Sequence, residues 1–150
     1  MNDAWNEWQT FKSEGKKYLV SPVKGEVLKW KDAKAKCEEK GGILASNLSP
    51  KWFKKFPEKI KLPGQGLQKE GYWVGAKLTG TEEEHELKWI TGEPLSPNHP
   101  NWDDGRPDFE QLNRAEDGEC CVWVELFDER AKLQHIQWCD VTFPFICQLN

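Results

Sequence analysis

Cys139-Asp-Val-Thr-Phe-Pro-Phe-Ile-Cys147 places two cysteines eight residues apart, with an apolar Pro-Phe-Ile run before the second, three residues before the last residue of the chain. Chain ends fray unless something ties them down, and a strand stapled at its end meets that need in a small extracellular domain. The Cys139 to Cys147 spacing also fixes the frame in which an acidic loop further upstream is read.

Working outward, 150 residues suffice for one ordinary domain with its own core and are too few for two comfortable ones. Hydrophobic residues make up only 37%, but nine tryptophans and seven phenylalanines compensate, because each aromatic ring buries a large area. No window approaches the roughly 18 consecutive apolar residues of a membrane span, so no membrane insertion is expected. The net charge of −4 is divided unevenly: residues 1–70 carry +6 and residues 71–150 carry −10. Acidic groups gathered in the second half favour a cation or a basic partner there. The lysines of the first half fall mostly at helical spacings, which reads as a solvated helix face rather than a nucleic-acid patch.

The five cysteines form no Cys-x-x-Cys zinc pattern, so structural disulfides are the better reading. Disulfides persist in oxidising compartments, and the expected location is therefore secreted or extracellular. Met1-Asn-Asp-Ala-Trp-Asn-Glu-Trp8 has neither the apolar core nor the cleavage signal of a signal peptide, so the sequence is read as a mature fragment. A cytosolic protein with five inert thiols is the alternative.

The chain divides into an N-terminal extension, residues 1–15, and one domain, residues 16–150. Lys16-Lys-Tyr-Leu-Val20 reads as an opening strand. From Leu28 to Lys40 the apolar Leu28, Ala33 and Cys37 share one helical face, and Gly41-Gly42 supplies the C-cap. Ser49-Pro50 opens a second helix with Trp52, Phe53 and Phe56 on its buried face, and Pro57 is expected to bend or end it. Leu62 to Leu67 is loop. Tyr72-Trp-Val-Gly75 and Lys88-Trp-Ile90 are strands. Residues 91–119 hold four prolines and three glycines and make a long loop, and loops of such length inside a domain are generally functional. Cys121 to Leu126 and Leu133 to Trp138 form a hairpin around Asp128-Glu129-Arg130, and Phe143 to Cys147 closes the sheet.

Taken together, these segments resemble the C-type lectin-like domain from about Lys17 to Cys147. The residues that carry the likeness are Trp30-Lys-Asp-Ala-Lys-Ala-Lys-Cys37, Gly41-Gly-Ile-Leu-Ala-Ser46 and Trp73-Val-Gly75, then Trp89-x-x-Gly92-x-Pro94-Leu95, Trp102-x-x-Gly105-x-Pro107-Asp108, Cys121-Val122 and the Cys139–Cys147 pair. The resemblance implies an α+β fold of two helices flanking small antiparallel sheets, with a long irregular loop. It also implies two disulfides, Cys37 with Cys147 and Cys121 with Cys139. Cys120 is left over. Neighbouring strand residues face opposite ways, so it points away from Cys121. It is a buried thiol, an intermolecular bridge that would make a homodimer, or the true partner of Cys139.

In sugar-binding members of the family the long loop holds a calcium ion that accepts two vicinal sugar hydroxyls. Calcium needs six to eight oxygen donors, at about 2.3–2.6 Å. The family draws them from a Glu-Pro-Asn or Gln-Pro-Asp triplet, a glutamate two residues before the first strand cysteine, and a Trp-Asn-Asp triplet. The first triplet here is Arg106-Pro107-Asp108, and Arg106 is a permanent cation with no acceptor. Glu119 fits the glutamate position. Trp138-Cys139-Asp140 imitates the third triplet, but Cys139 already stands at the disulfide position, and five residues before it lies Gln134-His135-Ile136. Asp108 and Glu119 are the candidate metal ligands that remain, which makes the standard calcium site degenerate. Asp103, Asp104, Asp108, Glu110, Glu116, Asp117 and Glu119 crowd the same segment and either rebuild a calcium site or form a solvated acidic loop.

Trp30, Trp73, Trp89 and Trp138 match core or strand positions, whereas Trp102 and Trp123 border the loop and are better placed for ligand contact. His85-Glu86-Leu-Lys-Trp89 begins like a zinc-protease motif but has Trp89 where a second histidine must stand. No nucleophile elbow or phosphate loop is present, so no enzyme is expected. The expected function is a secreted recognition module that binds a glycan or glycoprotein surface through Trp102, Arg106, Asp108 and Glu119. The competing expectation is a calcium-independent protein-binding domain on the same scaffold, since a scaffold does not dictate its ligand.

Overall fold

Strand alternation in Lys16–Val20 puts Tyr18 and Val20 on one face, and both are buried in the computed structural model, which describes residues 7–62 and 69–149. This strand, β2 (Lys16–Val20), lies between β1 (Gln9–Ser13) and β8 (Ile146–Leu149), and β8 pairs in turn with the short β3 (Ile43–Leu44). All three pairings are antiparallel. Part of the segment read as an extension is thus a sheet strand. Phe11 stacks on Tyr18 at 5.2 Å, and Glu14-Gly15, both at positive φ, makes the tight turn between β1 and β2. Residues 1–6 of the expected extension and residues 63–67 of the expected loop lie outside the described residues.

Helix α1 (Trp30–Glu39) buries Trp30, Ala33 and Cys37 along one stripe. It starts two residues later than the periodicity indicates, because Leu28 is paired across to Phe143 as a β-bridge. Its end is a Schellman motif: Gly41 sits at φ +90°, its N–H donates to Glu38 at 3.0 Å, and the Gly42 N–H reaches back to Cys37 at 3.0 Å. Helix α2 (Pro50–Lys59) opens as its sequence indicates, with the Ser49 hydroxyl accepting from the Trp52 N–H at 3.3 Å. Pro57 does not end it. The helix runs on to Lys59, with the Ile60 N–H donating to Phe56 at 2.9 Å, because a proline in the last turn removes a single bond while the buried Phe56 and Pro57 keep that turn packed.

The second sheet has the order β5-β4-β6-β7, from β5 (His85–Trp89), β4 (Lys69–Gly80), β6 (Glu119–Phe127) and β7 (Arg130–Ile136), again wholly antiparallel. The expected hairpin around Asp128 is the β6–β7 pair. His85 and Glu86 lie on a strand, where a zinc-protease helix has no place. The register of β4 against β6 shifts between Trp73 and Lys77, and Gly75 lies at that irregularity. A Cβ on Gly75 would meet the Leu44 carbonyl oxygen at 2.6 Å and that of Ala45 at 3.0 Å, so this position admits only glycine at the crossing of the two sheets. Trp30 and Trp73 tie α1 to β4 reciprocally: each indole N–H donates to a backbone carbonyl across the gap, Val74 at 2.9 Å and Leu28 at 2.8 Å.

Two apolar clusters result. The larger gathers Phe11, Tyr18, Trp52, Phe56 and Tyr72 with the inner faces of the second sheet, and the smaller contains Trp30, Trp73, Phe145 and both disulfides, Cys37–Cys147 and Cys121–Cys139. Cys120 belongs to the larger cluster and Cys121 to the smaller, as the alternation of strand side chains requires.

The long loop is pinned at three points. Trp102 bridges to Leu133, the Asp103 N–H donates to the Leu133 carbonyl at 3.1 Å, and a 3₁₀ helix, Phe109–Arg114, drops Leu112 into the core. That short helix is capped by the Asp108 carboxylate, which accepts from the Glu110 N–H at 3.1 Å. The Arg106–Pro107 peptide bond is cis.

Candidate functional site

Side chains from the loop and from β7 meet in one hydrogen-bonded network. The Gln134 amide donates to the Asp103 carboxylate and accepts from the Arg106 Nε at 3.3 Å. The Arg106 guanidinium lies 3.6 Å from the Asp108 carboxylate. The Asp108 N–H donates to His135 Nε2 at 2.7 Å, which leaves the ring proton on Nδ1 for the Gln111 side-chain carbonyl at 2.6 Å. Burial first, and then the Arg106 charge, pull the His135 imidazole down to about 4, against an upward pull from Asp108. His135 is therefore neutral, and its one lone pair is engaged.

Apart from Glu119, the positions implied for the family's calcium ligands, 106–108 and 134–136, fall in or beside this network. Arg106 brings a fixed positive charge to the centre of it, Gln134 and His135 have their acceptors engaged by protein donors, and Ile136 offers no side-chain oxygen. Asp108 is divided between the Arg106 charge and the cap of the 3₁₀ helix. This donor set does not fit a hard cation that needs six or more oxygens.

Glu119 stands elsewhere. Its carboxylate pairs with the Lys77 ammonium at 3.0 Å, and that ammonium also lies 4.5 Å above the Trp30 ring. Among the described residues, Glu119 shares a three-ligand cluster only with Cys121 and Cys139, whose sulfurs are joined to each other. Asp108 and Glu119 are thus each held by a different cation, Arg106 and Lys77. Asp104, Glu110, Glu116 and Asp117 are exposed on the loop surface.

Trp102, expected to contact ligand, is only 7% exposed; its indole N–H donates to Ser96 at 2.9 Å and its ring edges onto His135. It braces the loop from beneath. Trp123 packs against Phe143 in the smaller cluster. Trp138 reverses the core expectation: it follows the end of β7 and is 58% exposed. Trp30, Trp73 and Trp89 are buried as expected. Cys120 is fully buried without a disulfide partner, and burial pushes its thiol up to about 11, so of its three readings the buried thiol is the one the structure supports.

Of the network's other members, Gln111 carries no signal in the sequence, while Asp103 stands out only as one of the loop's acids and Gln134 only by its place before Cys139, because their partners are far away along the chain. Trp138 did have a signal. It directly precedes Cys139, whereas the family's Trp-Asn-Asp triplet is implied to begin five residues before that cysteine, so Trp138 is not at the triplet's tryptophan position.

The chain is an α+β domain closed by a long-range disulfide, with an irregular loop folded over its second sheet. A model of the Lectin C-type domain matches residues 26–149, and the chain belongs to the C-type lectin family. Among solved structures, the mouse scavenger receptor C-type lectin carbohydrate-recognition domain is 27% identical, with a TM-score of 0.63 over 94% of this chain and 93% of that one. The human counterpart is 25% identical, with a TM-score of 0.66 over 95% and 96%. A complex of SPL-1 with GlcNAc, 23% identical, has a TM-score of 0.64 over 97% and 94% and shares the fold.

Proposed function

We propose that this chain is a secreted, non-enzymatic recognition module that binds a carbohydrate or glycoprotein surface without calcium at the family's position. The observation that carries this reading is Arg106, whose guanidinium is held by Gln134 and Asp108 where a calcium-binding relative needs an oxygen. The kinship with scavenger-receptor carbohydrate-recognition domains supports the glycan class of ligand, and the two disulfides support an extracellular location. Calorimetric calcium titration of the metal-stripped protein tests the mechanism, paired with a screen of neutral and acidic oligosaccharides in EDTA. No calcium heat, and glycan binding indifferent to EDTA, is the expected result. Binding that requires calcium and is abolished by Asp108→Ala or Glu119→Ala would overturn it. The second reading is a protein-binding domain, favoured by the exposed Trp138 and Arg114, since tryptophan and arginine anchor protein interfaces.

A further inference from the structure

Trp138 and Val27 are the exposed large hydrophobic residues among those described, and Trp138 is the more exposed at 58%. It lines a cleft of about 440 Å³ together with Lys29, Lys31, Arg114, Glu116, Asp117, Glu119, Gln137, Cys139 and Asp140. That volume falls within the roughly 300–1,000 Å³ of small-ligand sites. Of Trp102, Arg106, Asp108 and Glu119, the residues expected to bind ligand, only Glu119 lines the cleft, which lies at the second disulfide beside the start of α1.

We propose that this cleft is a saccharide subsite that takes a neutral pyranose, its apolar face on the Trp138 indole and its hydroxyls on the flanking carboxylates and cations. The proposal deepens the calcium-independent glycan reading above and rests on it. The backbone on both sides of the indole is fixed: before it, Ile136 pairs with Cys121 across the β6–β7 ladder, and after it Cys139 is bonded to Cys121, the Trp30 N–H donates to the Cys139 carbonyl at 3.1 Å, and the Val141 N–H donates to the Trp138 carbonyl at 3.4 Å. A ring presented from such an anchored segment loses little freedom on binding, which is what an aromatic platform needs.

The charges in the cleft select the class of ligand. Three cations, Lys29, Lys31 and Arg114, stand with four carboxylates, Glu116, Asp117, Glu119 and Asp140, and Lys77 neutralises Glu119 from outside the cleft. The remaining charges balance, so the cleft gives a strongly charged ligand no net field to follow. Among the described residues Lys29, Lys31, Arg114, Glu116, Asp117 and Asp140 are in no ion pair with one another or with other side chains. Carboxylates only accept, while ammonium and guanidinium groups only donate. A ligand whose every hydroxyl both donates and accepts satisfies both sets, and a pyranose adds the flat apolar face that an exposed indole lacks.

Saturation-transfer NMR in EDTA tests this with methyl β-galactoside, methyl α-mannoside, chitobiose and 3′-sialyllactose as probes on the whole chain. At least one neutral sugar is expected to bind in the millimolar range. Trp138→Ala should weaken it about tenfold or more, Trp138→Phe should retain most of it, and Glu116→Gln with Asp117→Asn should weaken it. The melting temperature of each variant confirms its fold, which an exposed indole does not support. Binding that survives Trp138→Ala but vanishes in Asp108→Ala would move the sugar to the loop network, overturning the subsite while the glycan reading stands. Preference for sialyllactose over every neutral probe would overturn the neutral assignment. No binding of any sugar by the unaltered protein would overturn the subsite and the glycan reading together.

Discussion

Arg106 is a guanidinium with donors and no acceptor, and it sits among Asp103, Gln134 and Asp108 as a structural cation. Changing it to glutamate supplies an oxygen but leaves Ile136 without one and the His135 lone pair engaged. Arg106→Glu is therefore expected to lower the melting temperature by placing a third carboxylate beside Asp103 and Asp108. It is also expected not to create calcium affinity, and a submillimolar dissociation constant by calorimetry would contradict the account given of the loop. Cys120 supports a second prediction. Its fully buried thiol, held up at about 11, is expected to be unreactive to a disulfide reagent in the folded protein and to titrate as one thiol in denaturant. A rapid reaction in the native state, or a covalent dimer on a non-reducing gel, would return the intermolecular bridge. Gly75→Ala is the severe single change: two backbone carbonyls stand where its methyl would go, and neither is free to swing away. A loss of about 2–3 kcal/mol, read from denaturant unfolding, is expected.

At the scale of elements, β7 is where pH acts on stability. His135 is neutral in the folded chain and titrates near 6.5 when unfolded, whereas its folded value is about 4. The unfolded chain thus binds the proton more readily, and the contribution of His135 is fully present above about 6.5 and is lost as pH falls toward about 4. The full effect is at most about 3 kcal/mol. The melting temperature should fall by several degrees between pH 7 and pH 4.5, and His135→Gln should flatten that slope even if it lowers stability throughout. An unchanged slope in the variant would mean that other groups carry the acid sensitivity. Elements differ in how far their sequence discloses them, and the reason is range. Helix α1, its Gly41-Gly42 end and the Ser49-Pro50 start of α2 are set by neighbours a few residues away, so they are legible. So are the two disulfides, once spacing and resemblance are combined. Strand β1 is not legible, because five residues with one aromatic, Gln9–Ser13, show a pattern only when Tyr18 lies opposite Phe11. The loop network is less legible still: Asp103 meets Gln134 across 31 positions, and Asp108 meets His135 across 27. The defect at Arg106 and Ile136 could be read from sequence, but what replaces the metal there could not.

Across the whole molecule, the two disulfides do unequal service. Cys37–Cys147 closes a separation of 110 residues and ties α1 to β8, while Cys121–Cys139 closes 18 and fixes the short segment that presents Trp138. On the chain-entropy account, the longer closure is worth about 5 kcal/mol and the shorter about 3 kcal/mol. Both bridges lie in the smaller apolar cluster, which holds α1 against the two sheets, so removing either also disturbs that packing. Replacing Cys37 and Cys147 together by alanine should lower the melting temperature by about 10–20 °C, and replacing Cys121 and Cys139 by rather less. The functional consequence runs the other way. Loss of the long bridge loosens the terminal strand β8 but leaves the β6–β7 hairpin paired, so sugar binding below the new melting point should persist. Loss of the short bridge frees the Trp138 segment from β6 and should weaken saccharide binding even where the domain stays folded. If binding instead tracked stability alone, falling more with the long bridge than with the short one, the anchoring of Trp138 would have no part in recognition.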